Sequence, residues 1–162
     1  MKKLIFIAGL LSLLSTPLYA DTASTDQQTP AAKNKLAGDN FLQMNKSKPG
    51  VQTLPDGLQY QEITPGTGNP PNDNDVVTVD YQGTLIDGTE FDSSYKRGQP
   101  ATFPVKGVIP GWTEVLKQMK PGATWMVYIP AALAYGEMGS PPAIGPNETL
   151  IFKIHLIEVK KN

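Results

Sequence analysis

The sequence has no cysteine and only one histidine, His155. Without cysteine the chain can form no disulfide and offers no thiol nucleophile, so its fold depends on packing alone. One histidine without cysteine argues against a zinc site, and no general base is evident for serine chemistry. His155 alternates with apolar neighbours and is expected to face solvent. We therefore expect no metal and no cofactor.

The charge shows no excess of either sign. The chain has 14 basic and 15 acidic residues and a formal net charge of −1. No basic patch indicates a nucleic-acid partner, and no acidic tract indicates a solvating tail. The glycines fall in turns, and none forms a loop that would cradle phosphate. The sequence thus predicts neither a nucleic-acid-binding protein nor a nucleotide-dependent enzyme.

The longest apolar run is too short to span a bilayer comfortably, since about 20 apolar residues are needed. It extends from Leu4 to Leu14, follows Lys2 and Lys3, and precedes the small residue Ala20. This arrangement predicts a secretory signal peptide over residues 1–20, cleaved near Ala20. The alternative is an uncleaved anchor, but we expect no stable membrane anchor. The mature protein is expected in the periplasm or outside the cell.

Residues 21–50 precede the segment with strand patterning. Residues 21–32 show no apolar periodicity and are expected to form a disordered leader. Lys33 to Lys46 favours a helix with few apolar positions, which Pro49-Gly50 ends. Such a helix either lies against the next domain or acts as a spacer. We expect residues 21–50 to extend the distance over which that domain can act and to contribute no site residue. Because isolated helices of this length are marginal, we expect a monomer, with a weak dimer through Phe41 and Leu42 as the alternative.

Residues 51–162 carry the patterning of one α+β domain. Apolar and polar residues alternate in several segments, as in half-buried strands, and Asp87-Gly88 signals a two-residue hairpin. In WTEVLKQM four apolar residues share one helical stripe: Trp112, Val115, Leu116 and Met119. The predicted fold is an antiparallel β-sheet, a half-barrel, wrapped over one short amphipathic helix.

Aromatic residues recur at strand ends and in loops. An ordinary core would explain any one of them. However, Phe91 is followed at once by Asp92, and Tyr135 lies in a loop rich in glycine and proline, where core residues are rare. Apolar walls with a few polar groups are typical of a small-molecule or peptide pocket. The six aromatics are Tyr81, Phe91, Phe103, Trp112, Tyr135 and Phe152.

Several long motifs resemble one family. VTVDYQGTLIDGTEFDSSYKRGQPATFPV, VIPGWTEVLKQMKPGATWMVYIP, LAYGE and IGPNETLIFKIHLIEV occur in the order and spacing of the FK506-binding proteins, the FKBP-type peptidyl-prolyl isomerases. The resemblance covers about residues 50–160. It is greatest to the exported bacterial branch that includes macrophage infectivity potentiators. PGVQTLPDGLQY also resembles the joint between helical part and isomerase domain in that branch.

The resemblance implies a role for each matching residue. Trp112 would form the pocket floor under a substrate proline, and the Ile109 N–H would donate to a substrate carbonyl. Val108, Phe103 and Ile144 would line the rim and outer wall, and Tyr135 would donate a hydrogen bond at the mouth. The remaining catalytic positions would be Tyr81, Phe91, Asp92 and Phe152. Two positions differ from part of the family: Ala101 stands where many eukaryotic members carry an aromatic, and Ser140 stands where some members carry histidine.

The implied function is peptidyl-prolyl cis-trans isomerisation during folding of exported proteins. Its partners would be proline-containing peptides and unfolded exported chains, with macrolides such as FK506 or rapamycin as inhibitors. The alternative is a non-catalytic peptide-binding module or holdase chaperone that uses the same pocket.

Overall fold

The computed structural model describes residues 29–162, so the predicted signal peptide and residues 21–28 of the predicted leader lie outside the described residues. One antiparallel sheet dominates, with strand order β1-β2-β6-β7-β3-β4 and β5 paired to β3. None of the helices in this part of the chain combines the length and apolar character needed to cross a membrane. The strands are β1 (Gln52–Thr53), β2 (Gln59–Thr64), β3 (Val76–Leu85), β4 (Glu90–Ser93), β5 (Ala101–Pro104), β6 (Thr124–Ile129) and β7 (Leu150–Lys160).

The sheet wraps over a single short core helix, as the sequence predicts. Helix α2 (Ser94–Arg97) links β4 to β5, which share one edge of the long strand β3, and helix α3 (Pro110–Leu116) packs against the sheet. The alternating residues of β3, β6 and β7 are buried together with the predicted stripe of α3. Members of this core are Val77, Val79, Trp112, Val115, Leu116, Met119, Trp125, Val127, Ile129, Leu150, Ile154 and Leu156.

The β3–β4 hairpin differs from the predicted two-residue turn. The Leu85 N–H donates to the Thr89 carbonyl at 2.9 Å, which leaves three residues in the loop. Gly88 has φ of 88°, and its N–H donates to the Leu85 carbonyl at 3.0 Å. The register between β3 and β4 shifts just after this turn. Gly88 takes the left-handed conformation at the end of the turn, as in the common three-residue hairpin loop. The Asp87-Gly88 pair therefore forms the last two residues of a three-residue loop.

The N-terminal helix α1 (Pro30–Asn45) begins three residues earlier than predicted. Thr29 caps it, because its hydroxyl accepts a hydrogen bond from the Ala32 N–H at 3.3 Å. Pro30 occupies the first turn, where its missing N–H costs nothing. Residues 30–32 are therefore helical, and assigning them to a disordered leader was wrong.

Helix α1 lies against the domain and is no free spacer. Asn45 is fully buried and donates to the Gln59 side chain at 3.0 Å, while Gln59 donates to the Leu42 carbonyl at 2.8 Å. The Phe41 ring lies 5.9 Å from that of Tyr128. The two residues considered for a dimer contact, Phe41 and Leu42, are thus half-buried by this chain's own domain.

Candidate functional site

A cavity of about 610 Å³ opens between α3, the sheet and the loop after β6. All ten predicted catalytic and substrate-binding residues contribute to its lining, together with Gly107, Ser140 and Ala143. Their roles in binding and catalysis stay predictions. The ten are Tyr81, Phe91, Asp92, Phe103, Val108, Ile109, Trp112, Tyr135, Ile144 and Phe152.

The Trp112 indole lines the cavity although the residue is only 4% exposed, and three rings stand perpendicular to it. The ring of Tyr81 lies 5.2 Å away at 90°, that of Phe152 5.2 Å at 86°, and that of Phe103 5.8 Å at 85°. Edge-to-face pairs are a favoured aromatic geometry. The result is an apolar box whose floor is a flat indole.

The start of α3 fixes this floor. Ile109 is the N-cap residue and Pro110 occupies the first turn, so the chain turns abruptly from the rim into the helix. The Trp112 N–H donates to the Ile109 carbonyl at 3.0 Å, and the Thr113 hydroxyl donates to the Val105 carbonyl at 2.8 Å. Pro-Gly here opens a helix and places the indole in its first turn.

Gly83 allows the wall to close. It lies on β3 opposite Phe152 on β7 and Asp92 on β4. A Cβ at Gly83 would lie 2.7 Å from atoms of the Phe152 and Phe91 rings. These two rings pack edge to face with centroids 5.5 Å apart. Any side chain at position 83 would therefore displace these rings.

A polar cluster stands on one wall. The Tyr81 hydroxyl donates to the Asp92 carboxylate, which also accepts from the Arg97 guanidinium. Arg97 donates in addition to the Tyr81 oxygen at 2.8 Å, with its guanidinium carbon 5.4 Å from the ring centroid. The Tyr81 ring is thereby held in one orientation beside Trp112.

This cluster fixes the protonation states on the wall. Burial raises the pKa of Tyr81, and the hydrogen bond to Asp92 raises it further. For Asp92 burial alone would raise the pKa, but hydrogen bonds from Tyr81 and Arg97 outweigh it and hold the pKa below its ordinary value. At neutral pH the pair is therefore a neutral phenol and an ionised carboxylate.

The mouth combines exposed and buried groups. The Tyr135 side chain is 41% exposed, whereas Ile144 is buried. Ser140 and Ile144 face each other through paired backbone hydrogen bonds of 2.9 and 3.0 Å. Within residues 29–162 the Ile109 N–H donates to no backbone carbonyl, and the buried Trp112 indole N–H has no partner. Two N–H donors near the cavity thus lack a hydrogen-bond acceptor within residues 29–162.

Arg97 is the site residue that sequence reasoning missed. It lies on α2, five residues after Asp92, and its side chain is 43% exposed. The only available signal was the need of a half-buried carboxylate for a cation. Several basic residues could have met that need, and sequence spacing alone does not select among them.

The chain matches two family descriptions. Residues 67–157 match "FKBP-type peptidyl-prolyl cis-trans isomerase", and residues 15–61 match "Domain amino terminal to FKBP-type peptidyl-prolyl isomerase". The peptidyl-prolyl cis-trans isomerase Mip of Coxiella burnetii is 64% identical over 121 residues, which are 75% of this chain and 53% of that protein.

Two further relatives extend this picture. The outer membrane protein MIP of Legionella longbeachae is 60% identical over 138 residues, covering 85% of this chain and 59% of its own length. A crystal structure of a peptidyl-prolyl cis-trans isomerase from Pseudomonas syringae has a TM-score of 0.76 and 42% identity, covering 83% of this chain and 98% of that one. The chain therefore spans slightly more than half the length of the two curated relatives.

Proposed function

This chain belongs to the family of FKBP-type peptidyl-prolyl cis-trans isomerases, and we propose that it accelerates X-Pro isomerisation in exported proteins during folding. The observation that carries the proposal is the box of three rings perpendicular to the Trp112 indole. A flat apolar floor with upright walls suits a pyrrolidine ring, which is compact and apolar.

The chemistry requires only that the amide be twisted. The cis–trans barrier of roughly 18–20 kcal/mol arises from amide resonance, and uncatalysed X-Pro isomerisation takes tens to hundreds of seconds. Water stabilises the planar amide by hydrogen bonding to its carbonyl. A dry cavity removes that stabilisation and so favours the twisted state.

Each part of the cavity has a proposed task. Trp112, with Phe152 and Tyr81 beside it, holds the proline ring. The Ile109 N–H donates to a substrate carbonyl, and Tyr135 donates at the mouth. An acceleration of about a millionfold would need about 8 kcal/mol, to be supplied by desolvation, ring packing and these hydrogen bonds together. No side chain need exchange a proton with the substrate.

The decisive experiment is a protease-free isomerisation assay on a short X-Pro peptide. The intact chain is expected to accelerate exchange well above background. Binding of the peptide without acceleration would instead establish the non-catalytic module or holdase. Rapamycin offers a separate test of the pocket: at about 100 times its dissociation constant a ligand adds roughly 2.7 kcal/mol to stability, so the melting temperature should rise. An unchanged melting temperature at saturation would contradict the pocket assignment.

We further propose that the mature protein is a periplasmic or secreted monomer, after cleavage near Ala20. In support, Phe41 and Leu42, the residues considered for a dimer contact, lie against their own domain. The Legionella relative is named an outer membrane protein, which is compatible with export. N-terminal sequencing of the exported protein and sedimentation at micromolar concentration test the two points; a dimer would contradict the second.

A further inference from the structure

We propose that helix α1 positions the mouth of the pocket: it braces the mouth loop, residues 135–147, and Asn147 joins the helix to the base of that loop. The proposal rests on the proposed isomerase function, because it assigns α1 a task in that same site. It replaces the expectation that the segment before the domain provides reach alone.

Asn147 binds the helix with its side chain and the loop with its backbone. Its amide nitrogen Nδ2 donates to the Ala31 carbonyl of α1 at 3.3 Å. Its backbone N–H donates to the Gly136 carbonyl at 2.9 Å and so closes the base of the mouth loop. Asn147 also has φ of 56°, a left-handed conformation that asparagine adopts more readily than most residues.

Two neighbouring contacts repeat this connection. The Asn34 side chain of α1 donates to the Pro146 carbonyl at 2.9 Å. One turn further along, Gly38 is buried against Thr149, and a Cβ at position 38 would overlap the Thr149 hydroxyl and lie 3.1 Å from its Cβ. Helix and chain are thus in contact over residues 146–149. The glycine lets them approach this closely.

The braced loop carries the outer part of the pocket. Tyr135 directly precedes Gly136, whose carbonyl accepts from Asn147, and Ile144 lies three residues before Asn147. The paired backbone bonds between Ser140 and Ile144 hold the two arms of the loop together. A displacement at the base would therefore move Tyr135 and Ile144 relative to the Trp112 floor.

The expected consequence is pre-organisation. A loop that is released from α1 samples more conformations and must be ordered again when a peptide binds. The floor and walls belong to the sheet and α3, so only the part of the chemical step that depends on the Tyr135 hydrogen bond should change. Release of the brace, the contacts of Ala31, Asn34 and Gly38 with residues 146–149, should consequently raise KM, and any fall in kcat should not exceed that of Tyr135→Phe.

The first test is Asn147→Gly in the full chain. Glycine tolerates the left-handed backbone and retains the N–H donor to Gly136, so the side-chain bond to Ala31 is lost without strain. Because glycine also frees the backbone at position 147, Asn34→Ala, which removes the bond to Pro146 from the helix side, should give a change of the same kind. Loss of one hydrogen bond predicts about a two- to tenfold faster amide exchange in the mouth loop, and a KM raised within the same range. Asn40→Ala, an exposed position on α1, is the matched control and should change neither quantity.

The second test uses rescue. Gly38→Ala favours an isolated helix, yet it should loosen the mouth loop because the new methyl group meets Thr149. Adding Thr149→Ala removes the hydroxyl and should restore exchange and KM toward the values of the Thr149→Ala chain. General damage to folding would not be reversed by this second change.

The outcomes separate the brace from the proposed function. Amide exchange in the mouth loop does not depend on turnover; if Asn147→Gly and Gly38→Ala both leave it unchanged, the brace is wrong. Faster exchange with an unchanged KM would overturn the positioning role. A wild-type chain without isomerase activity would refute the proposed function, and the exchange result would still decide whether α1 holds the loop.

Discussion

The inner and outer parts of the pocket are held in different ways. The inner part consists of aromatic rings that belong to the core, with Tyr81, Trp112 and Phe152 all at most 5% exposed. The outer part is the mouth loop, whose base is held by hydrogen bonds from Asn34 and Asn147. Close packing fixes the shape of the inner part, so few substitutions preserve it. Each hydrogen bond at the base of the mouth loop contributes only about 0.5–1.5 kcal/mol, so losing one should change the loop's mobility without unfolding the domain.

Removing the floor should have the largest effect. Trp112→Ala empties the centre of the inner part, and truncation of a core tryptophan typically costs about 3–5 kcal/mol of unfolding free energy. Turnover should fall by about a hundredfold or more, because a loss of roughly 3 kcal/mol in transition-state binding corresponds to that factor. Urea unfolding and the peptide assay measure the two effects. A variant with near-normal turnover would show that the indole is not the floor.

The second largest effect is expected from filling the space between the Phe91 and Phe152 rings. Gly83→Ala introduces a methyl group 2.7 Å from atoms of Phe91 and Phe152. Overpacking of this kind typically costs about 1–3 kcal/mol. The rings are expected to shift into the cavity, so rapamycin affinity should fall together with stability. Gly57→Ala, where no atom lies within 4 Å but φ is 91°, controls for a glycine replacement with backbone strain alone.

The polar wall should show an intermediate effect. Asp92→Ala removes the acceptor of both Tyr81 and Arg97 and frees the Tyr81 ring, while the apolar box remains. We expect a loss of turnover between those of Trp112→Ala and Tyr135→Phe. Arg97→Ala should reproduce part of this loss by freeing the same phenol. If Arg97→Ala matched the wild type in both turnover and rapamycin affinity, the guanidinium would have no part in orienting Tyr81.

The next prediction concerns one hydrogen bond at the mouth, the bond that the Tyr135 hydroxyl is proposed to donate. Tyr135→Phe keeps the ring and removes the hydroxyl, so the expected loss is about 0.5–1.5 kcal/mol, or up to about tenfold in turnover. The double variant with Asn147→Gly sharpens the comparison. If the brace acts by placing Tyr135, the two losses should not add, because a displaced mouth has already lost part of this bond. If the free-energy losses of Tyr135→Phe and Asn147→Gly add fully, the brace does not act through Tyr135.

Turnover against pH should change least. The pKa of Asp92 lies below and that of Tyr81 above the ordinary values, so neither group titrates between pH 6 and pH 8. The profile there should be flat. Since the folded state holds Asp92 ionised, its contribution to stability is present at neutral pH and is lost only as pH falls through its lowered pKa. A steep slope that vanishes in Asp92→Ala would contradict catalysis by desolvation.

The inner part was readable from the sequence because its residues carry strong local signals. The alternation in β3 and β7 and the stripe of α3 predict which side chains share a face, and the family motifs place the aromatics around one pocket. The brace left almost no signal. Its contacts come from asparagine, glycine and backbone carbonyls, and two apolar residues of α1, Leu36 and Met44, face solvent.

Periodicity and turn chemistry in the sequence predict the sheet and the core helix because they are local properties of the chain, whereas the residues around the pocket were assigned through the resemblance to a family. How those parts are held follows from the three-dimensional packing alone. Arg97 was selected among the basic residues by its distance to Tyr81 and Asp92. The docking of α1 depends on one close approach at Gly38 and on amide groups more than 100 positions apart in the chain. Such contacts follow from three-dimensional proximity, which no repeat or spacing in the sequence encodes.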